Sequence, residues 1–569
     1  MSELPVSARQ DSGSVLSFDL TLRPWIGVIR LDGTEDELSL RDVFTQADSL
    51  ARIVGDLPTQ EFALLRLLLA IAHDALDGPA DIDHWADLWA DPDALAPAVP
   101  YLQEHCGRFD LLHPTAPFFQ TAGLRTAKGE VFSLNRIVAD VPNGEPFFTS
   151  RMPTVDRLTF AEAARWVVHA HAYDTSGIKT GTVGDDRVKG GKVYPLGVGW
   201  AGNLGGVLVE GSTLRETLLL NLIAADTDTL TFGAGDVPAW RREPSGPGGA
   251  ERAPTGVRDV YTWQSRRLRL HFDTEGVHGV VLGYGDPLNA RNRHVLEPMT
   301  AWRRSPAQEK KHGLPLVYLP REHDPQRSAW RGIAALIADR SESGQGAEAA
   351  AYLRPGILEW IARLVTTREL DPGFLIRARI IGPAYGTQQS VIDEIVDDHL
   401  ALAVVLLHQQ DRSYARQAID AAGDADLAVR ALGDLATDLA RAAGSDGDGR
   451  RVTARDRGFG ALDSPYRTWL AALAQAEDPH QQRTAWQHTV HRIISRLGEE
   501  LIAQAGDAAW QGRIVPAKKG TLWLNSALAD RWFRHRLRTG LGLEHPPAAE
   551  GDDPGDTSPN SASDTKVPA

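Results

Sequence analysis

The stretch TQEFALLRLLLAIAHDAL, Thr59 to Leu76, constrains the fold more than any other. Its apolar residues crowd most of the helix surface rather than one stripe, and such a helix is stable only inside a core. Thr59 is its expected N-cap. Other elements must enclose it, and a chain of 569 residues supplies enough for about two to four domains. The composition, 42% hydrophobic and 24% charged, is that of a globular protein, and no apolar run is long enough to span a bilayer. The opening MSELPVSARQDSGS lacks the apolar segment of a secretory signal. Cys106 is the single cysteine, which excludes an intrachain disulfide and a multi-cysteine zinc site. A cytoplasmic protein without a membrane partner is expected.

FDLTLRPWIGVIRLDG, Phe18 to Gly33, reads as strands and a hairpin closed by Asp-Gly. From His113 to about Met152 the chain is irregular and rich in Pro, Gly and paired Phe. A strand is expected from Tyr261 to Phe272, with Leu268, Leu270 and Phe272 on an apolar face and Arg267, Arg269 and His271 on a basic one. From about Ser390 helical spacing takes over in SVIDEIVDDHLALAVVLL, ADLAVRALGDLATDLARAA, YRTWLAALAQA with QRTAWQHTVHRIISRLGEELIAQA, and LWLNSALADRWFRHRL. GSDGDGR, Gly444 to Arg450, separates the second segment from the third. The expected class is therefore α+β: a mixed α/β N-terminal domain over residues 1–389, an all-α four-helix bundle over 390–545, and a disordered acidic tail over 546–569.

Residues 195–206, PLGVGWAGNLGG, match G-x-G-x-x-G at Gly197, Gly199 and Gly202. A dinucleotide loop of that form needs a buried strand before it, a helix at the loop and an acidic residue about 20 positions on. Here KGGKVYP precedes the loop and Val207-Leu208-Val209, which reads as a strand, follows it. The context fails, leaving a plain connection or a loop whose bare backbone presses against a partner. No catalytic set emerges, and no cofactor or metal is expected. His169 and His171 lack a completing ligand and read as structural, as do His105, Cys106 and His113; Lys179-Thr180-Gly181 echoes an enzyme motif without its companions.

A second odd loop, IIGPAYGTQQS, is punctuated by Gly382-Pro383 and Gly386, which places Thr387, Gln388 and Gln389 at a turn between an apolar strand and a helix. A helix start with two exposed glutamines is the plain reading; an amide at a turn tip can also enter a groove and contact base edges. The net charge of -15 argues against a free-standing protein that grips nucleic acid by long-range attraction. It leaves room for a subunit that meets nucleic acid inside a larger assembly.

Taken in order, several pieces resemble the CasA family, the large subunits of the type I-E CRISPR surveillance complex Cascade, over roughly residues 18–540. They are Pro24-Trp25-Ile26-Gly27-Val28; His113 through Pro117-Phe118-Phe119-Gln120-Thr121; the glycine loop with Val209-Glu210-Gly211 and Leu214 to Asn221; Trp263-Gln264; Tyr385 with Gln389; and the helical C-terminal region. The resemblance implies a non-enzymatic subunit that recognises the protospacer-adjacent motif of double-stranded DNA from the minor groove, promotes duplex opening and R-loop formation, and recruits the helicase-nuclease. Its partners would be the other Cascade subunits, the guide RNA and target DNA.

By that resemblance Gly197, Val198, Gly199, Trp200, Ala201, Gly202 and Asn203 form the groove-reading loop. The minor groove is about 6 Å wide, so bare backbone suits its floor. Gln389, flanked by Gln388 and Ser390, takes the place of a wedge that disrupts the adjoining base pair, and Arg291 or Arg293 that of a groove lysine. Phe147, Phe148, Thr149 and Arg151 correspond to a loop that meets guide RNA and a neighbouring subunit, or else are core. Arg531, Arg534 and Arg538, at i, i+3 and i+7, offer backbone contacts or simply a solvated face. Two rivals remain: a nucleotide-binding enzyme using residues 197–202, and a helical scaffold that binds only protein.

Overall fold

The computed structural model describes residues 16–139, 154–227, 230–233, 235–338, 349–371, 373–407, 412–516 and 520–543. The apolar run folds as helix α1, Pro58–Ala75, opened by a proline whose missing N–H is not needed in the first turn. Every residue from Thr59 to Asp74 is buried, as a core helix requires. Thr59 is not the cap: that position falls to Leu57, and the Thr59 hydroxyl lies 3.0 Å from Nε2 of His169. His169 belongs to helix α2, Phe160–Tyr173, which begins with a Thr159/Glu162 capping box and packs along α1.

Burying α1 on all sides also buries Arg66, 2% exposed. Its guanidinium grips both oxygens of the fully buried Glu297, each at 2.8 Å, and lies 4.4 Å over the Tyr261 ring. Burial alone would loosen its proton; the carboxylate opposes this and keeps the guanidinium charged. This pair ties α1 to the segment before Met299, whose own N–H donates to Glu297 at 3.1 Å.

Strands β1, Ile26–Arg30, and β2, Glu35–Leu38, form the expected hairpin through Gly33 at φ +85°, and β3, Leu50–Val54, pairs with the other edge of β1. A second antiparallel sheet has β4, Gly206–Glu210, beside β7, Leu375–Tyr385, and β7 beside β8, Ile392–Ala403. Between them in sequence, β5, Arg266–Asp273, and β6, Gly276–Tyr284, make a separate hairpin. The strand expected from Tyr261 starts only at Arg266, because Val257–Tyr261 is a short helix. Its basic face is not a free surface: Arg267 is buried and paired with Asp286, and Arg269 and His271 are half-buried.

The helix expected over 390–407 is instead β8 followed by a 3-10 turn, Val404–Leu407. Ile392, Ile395, Val396 and Leu400 carry helical spacing, but pairing along the length of β7 outweighs it. The expected boundary at 389/390 therefore falls at the tip of the β7–β8 hairpin. The chain divides into one unit reaching Ala422 together with Pro465–Pro479, and a second of Gly423–Ser464 with the chain from His480 onward.

Four long helices occupy the C-terminal part of the described residues: α3, Ser413–Ala443; α4, Asp448–Ala472; α5, Pro479–Ala503; and α6, Ser526–Gly540. They are not the four segments expected. The first of those is strand, and α4 starts inside GSDGDGR and runs through Gly458, Gly460 and Pro465, residues that break the apolar pattern a sequence reading depends on. In the second unit the hairpin Arg513–Pro516 with Thr521–Leu524 closes on Ala442, Ala509, Val515 and Leu524. The tail expected to be disordered, 546–569, lies outside the described residues. None of the described helices is long and apolar enough to cross a membrane.

Burial holds His73 and His169 down at about 3 and His171 and His323 at about 4, from an ordinary 6.5. The unfolded chain therefore takes up more protons than the folded one below pH 6.5, and stability falls as pH is lowered from 6.5 towards 4. Each histidine contributes up to about 1.4 kcal/mol per pH unit within that window. Urea unfolding at a series of pH values should show this slope, reduced in a His169→Gln variant.

Candidate functional site

The glycine loop turns inward after one exposed step. Gly197, at φ +111°, is half-exposed, and a Cβ there would meet nothing within 4 Å. Val198, Gly199, Trp200, Ala201 and Gly202 are buried. Trp200–Asn203 forms one 3-10 turn, and the chain then enters β4, so no helix begins at the loop and the dinucleotide geometry is absent. The Trp200 indole donates to Glu297 at 2.8 Å and its backbone N–H to Ser265 Oγ at 3.1 Å, which seats the loop on the buried Arg66–Glu297 pair.

These contacts revise the reason for the glycines. A Cβ at Gly199 would lie 2.5 Å from the carbonyl carbon and oxygen of Ala172, and a Cβ at Gly202 would overlap the Tyr385 hydroxyl. Both positions serve close packing against the end of α2 and the end of β7, where the sequence reading had the whole loop entering a groove. Within 197–203 only Gly197 and Asn203 are part-exposed, and the Asn203 amide donates to the carbonyls of Gly199 at 3.4 Å and Trp200 at 3.2 Å.

The second loop links two strands, β7 and β8, rather than a strand and a helix. Thr387–Gln389 makes a 3-10 turn in which Gln388 and Gln389 take left-handed backbone, φ +58° and +56°. Non-glycine residues there cost about 1 kcal/mol or more each, and such strain collects at functional corners. Gln388 is exposed, Gln389 and Ser390 half-buried, and neither glutamine amide has a hydrogen-bond partner among the described residues. The Ser390 hydroxyl donates to the Thr387 carbonyl at 2.9 Å.

Residues 174–176 bring the two loops together. The Gly199 N–H donates to the Asp174 carbonyl at 2.9 Å, and the Ser176 N–H to the Gln389 carbonyl at 2.7 Å. Tyr385 donates its hydroxyl to the Tyr173 carbonyl at 2.7 Å. Arg266, 2% exposed, donates to the Asp174 carboxylate and to the carbonyls of Asp174 at 2.8 Å, Thr175 at 3.2 Å and Gly197 at 3.0 Å. Lys179 Nζ lies 2.7 Å from the same carboxylate. Burial alone would raise the pKa of Asp174; Lys179 and Arg266 reverse that and hold it ionised below its usual range. A cavity of about 150 Å³ beside the corner is lined in part by Arg136, Asp174, Lys179 and Ser390. Asp174 and Arg266 were not singled out in the sequence, Tyr385 entered only through the family resemblance, and Lys179 only as an enzyme echo. The one available signal was ionisable residues in an otherwise apolar neighbourhood.

The remaining expected residues lie elsewhere. Arg291 and Arg293 flank Asn292, which is fastened to Tyr318 by backbone and amide bonds of 2.9 and 2.7 Å; both arginines are half-buried and bond to Asn289. Among the described residues no hydrogen bond or ion pair joins them to the glycine loop or the glutamine corner. Phe147, Phe148, Thr149 and Arg151 lie outside the described residues. In the second unit Arg531, Arg534 and Arg538 are exposed on α6, where Arg534 pairs with Asp530 at 2.8 Å. Burial, then the charges of Arg538, His488 and Arg534, push His491 below its ordinary pKa. His169 and His171 are held by Thr59 and by the Phe119 carbonyl at 2.8 Å, which fits the structural role read for them.

A family model described as CRISPR-associated protein Cse1 matches residues 19–497. The crystal structure of Thermobifida fusca Cse1 is 60% identical, covers 93% of this chain and 99% of its own, and superposes with a TM-score of 0.86. A curated relative, CRISPR-associated protein CasA/Cse1 of Thermus thermophilus, is 29% identical over 531 residues, 90% of this chain and 93% of its own. A chain of a structure titled CRISPR RNA-guided surveillance complex, 19% identical with a TM-score of 0.60 over 86% of this chain and 99% of its own, shares the fold.

Gly202→Ala should force Tyr385 off the Tyr173 carbonyl and destabilise the protein by about 1–3 kcal/mol. In a Tyr385→Phe background the overlapping oxygen is gone, and the same change should cost less. Denaturant melts of the four proteins would measure this coupling; strictly additive losses would break the link between loop and corner.

Proposed function

This chain belongs to the family of CRISPR-associated protein Cse1, and from that premise we propose that it is the large subunit of a type I-E Cascade complex, a non-catalytic reader of the protospacer-adjacent motif. In this reading the subunit meets target DNA from the minor groove, helps open the duplex for R-loop formation, and offers a docking place for the helicase-nuclease. The observation that carries it is the strained, solvent-facing Gln388-Gln389 corner held next to Gly197 by one buried scaffold. Two amides without partners among the described residues can hydrogen-bond a ligand, and a rigid corner can unstack a base step, at a cost of a few kcal/mol, without first losing its own conformational freedom.

Burial of residues 198–202 narrows the reading element to Gly197, Asn203, Gln388, Gln389 and Ser390. Val198, Gly199, Trp200, Ala201 and Gly202 hold it in place from behind. Arg291 or Arg293 would add a second, separate contact to the duplex. Phe147, Phe148, Thr149 and Arg151 would face guide RNA and a neighbouring subunit, and Arg531, Arg534 and Arg538 the backbone of a separated strand. The protein's net charge of -15 fits a subunit whose binding to DNA depends on the surrounding assembly.

Gln389→Ala should slow strand opening on motif-bearing DNA severalfold and leave subunit assembly intact. Folding stability should move by no more than about 0.5 kcal/mol, because the amide has no hydrogen-bond partner among the described residues. Stopped-flow fluorescence of a base analogue beside the motif would read this, and a wild-type opening rate would sink the wedge. Loss of Arg291 or Arg293 should lower the salt slope of binding by about one unit if that residue meets a phosphate. Equal binding of DNA with the motif scrambled would favour the protein scaffold instead.

A further inference from the structure

We propose that the cavity walled by Arg108, Phe119, Trp240 and Arg242 is a binding site for a phosphate-bearing small molecule of nucleoside monophosphate size. The cavity measures about 300 Å³ and its lining shares no residue with the glycine loop or the glutamine corner. That volume sits at the lower end of the range for small-molecule sites, about 300–1,000 Å³.

Four guanidiniums line it, and two are spent within the protein. Arg267 is engaged by Asp286 and by the Gly246 carbonyl at 2.9 Å; Arg252 is engaged by Asp259 at 2.6 Å and Asp286 at 3.2 Å and stacks 3.9 Å over Trp263. The other two keep donors in reserve. Arg242 gives one nitrogen to Thr255 at 2.7 Å and Asp259 at 3.1 Å, while its Nε is buried with no partner among the described residues. Arg108 gives one nitrogen to the Arg242 carbonyl at 2.7 Å and the rest of its fork has no described partner. Against four positive charges stand Asp259 and Asp286, with exposed Glu243 the further carboxylate whose charge reaches Arg108.

The Arg242 Nε is a buried donor left unpaired among the described residues, at a cost of about 1–3 kcal/mol, and the Arg108 fork beside it is part-exposed, so a ligand that supplies acceptor oxygens meets one desolvated donor and one open fork. Phosphate matches guanidinium geometry two bonds at a time. Burial lowers the proton affinity of Arg108, a sign of a cation already stripped of part of its water. The aromatic lining is stiff: Phe119 takes left-handed backbone at φ +51°, and its ring stacks 4.2 Å from Phe118, which stacks on Phe109 against Trp240. Bulky residues adopt that conformation only when their surroundings enforce it. Aromatic faces beside free guanidinium donors suit a base with its phosphate.

Calorimetric titration of the full chain with AMP, and separately with inorganic phosphate, tests this. AMP should bind more tightly than phosphate, and Arg108→Gln should weaken AMP by about tenfold or more while lowering the unliganded melting temperature by no more than a few degrees, since that side chain holds one carbonyl. Arg108→Lys, which keeps the charge and loses the fork, should fall between. Equal binding of phosphate and AMP would retain the phosphate site and remove the aromatic part. No heat from either ligand at about 10 mM, far weaker than the millimolar affinity that already needs only about 4 kcal/mol, or AMP binding unchanged in Arg108→Gln, would overturn the proposal. Gly197→Ala should leave AMP binding unaltered, which separates this cavity from a nucleotide site on the glycine loop.

Discussion

The arrangement of the candidate site depends on the guanidinium of Arg266. From the first residue of β5 it reaches the carboxylate and carbonyl of Asp174, the carbonyl of Thr175 and the carbonyl of Gly197. Those acceptors sit on one stretch of chain whose arms pair at Lys179–Thr180 and Lys192–Val193, and Arg266 comes to it from 69 to 92 residues further along. Buried carbonyls need donors, and a buried cation needs a counter-charge; here one side chain meets both requirements with Asp174 as the counter-charge. Lys179 adds a second cation to the same carboxylate, which offsets the desolvation of the group.

That clamp makes the strained corner tenable. Left-handed backbone at two successive glutamines persists only where the surroundings over-determine it. The long β7–β8 ladder approaches from both sides, the Ser176 N–H binds the Gln389 carbonyl, and Tyr385 anchors the end of β7 to the C-terminus of α2. Strain is thus held by the main chain, and among the described residues the glutamine amides have no hydrogen-bond partner. Beneath, the Arg66–Glu297 pair and the Trp200 indole connect the glycine loop to the central helix, so loop, corner and core form one continuous network.

Much of the framework was legible from residue pattern. The all-round apolar run of α1, the Asp-Gly hairpin at Gly33 and the strand at Val207–Val209 depend on local signals of the kind that periodicity and turn chemistry carry. Segment 390–407 was misread because its isoleucines and valine fit helical spacing, and only the partner strand β7 decides otherwise. Helix α4 was read only from Tyr466 onward for the opposite reason, since glycine, proline and charge dilute the pattern of its earlier turns although the helix forms from Asp448.

The order of residues by itself determined that the Thr59–Leu76 run must be inside, where the chain turns, and that the glycine-rich stretch 195–206 is unusually bare of side chains. It also placed Gln388 and Gln389 at a turn and carried the family resemblance. What comes close to those glycines was decided only by tertiary structure: Ala172 and Tyr385 fill the space that the sequence left open for a ligand. Close packing and buried ion pairs such as Arg266–Asp174 join residues with no fixed spacing along the chain, so no local pattern can announce them. They appear only when the core helix has been enclosed.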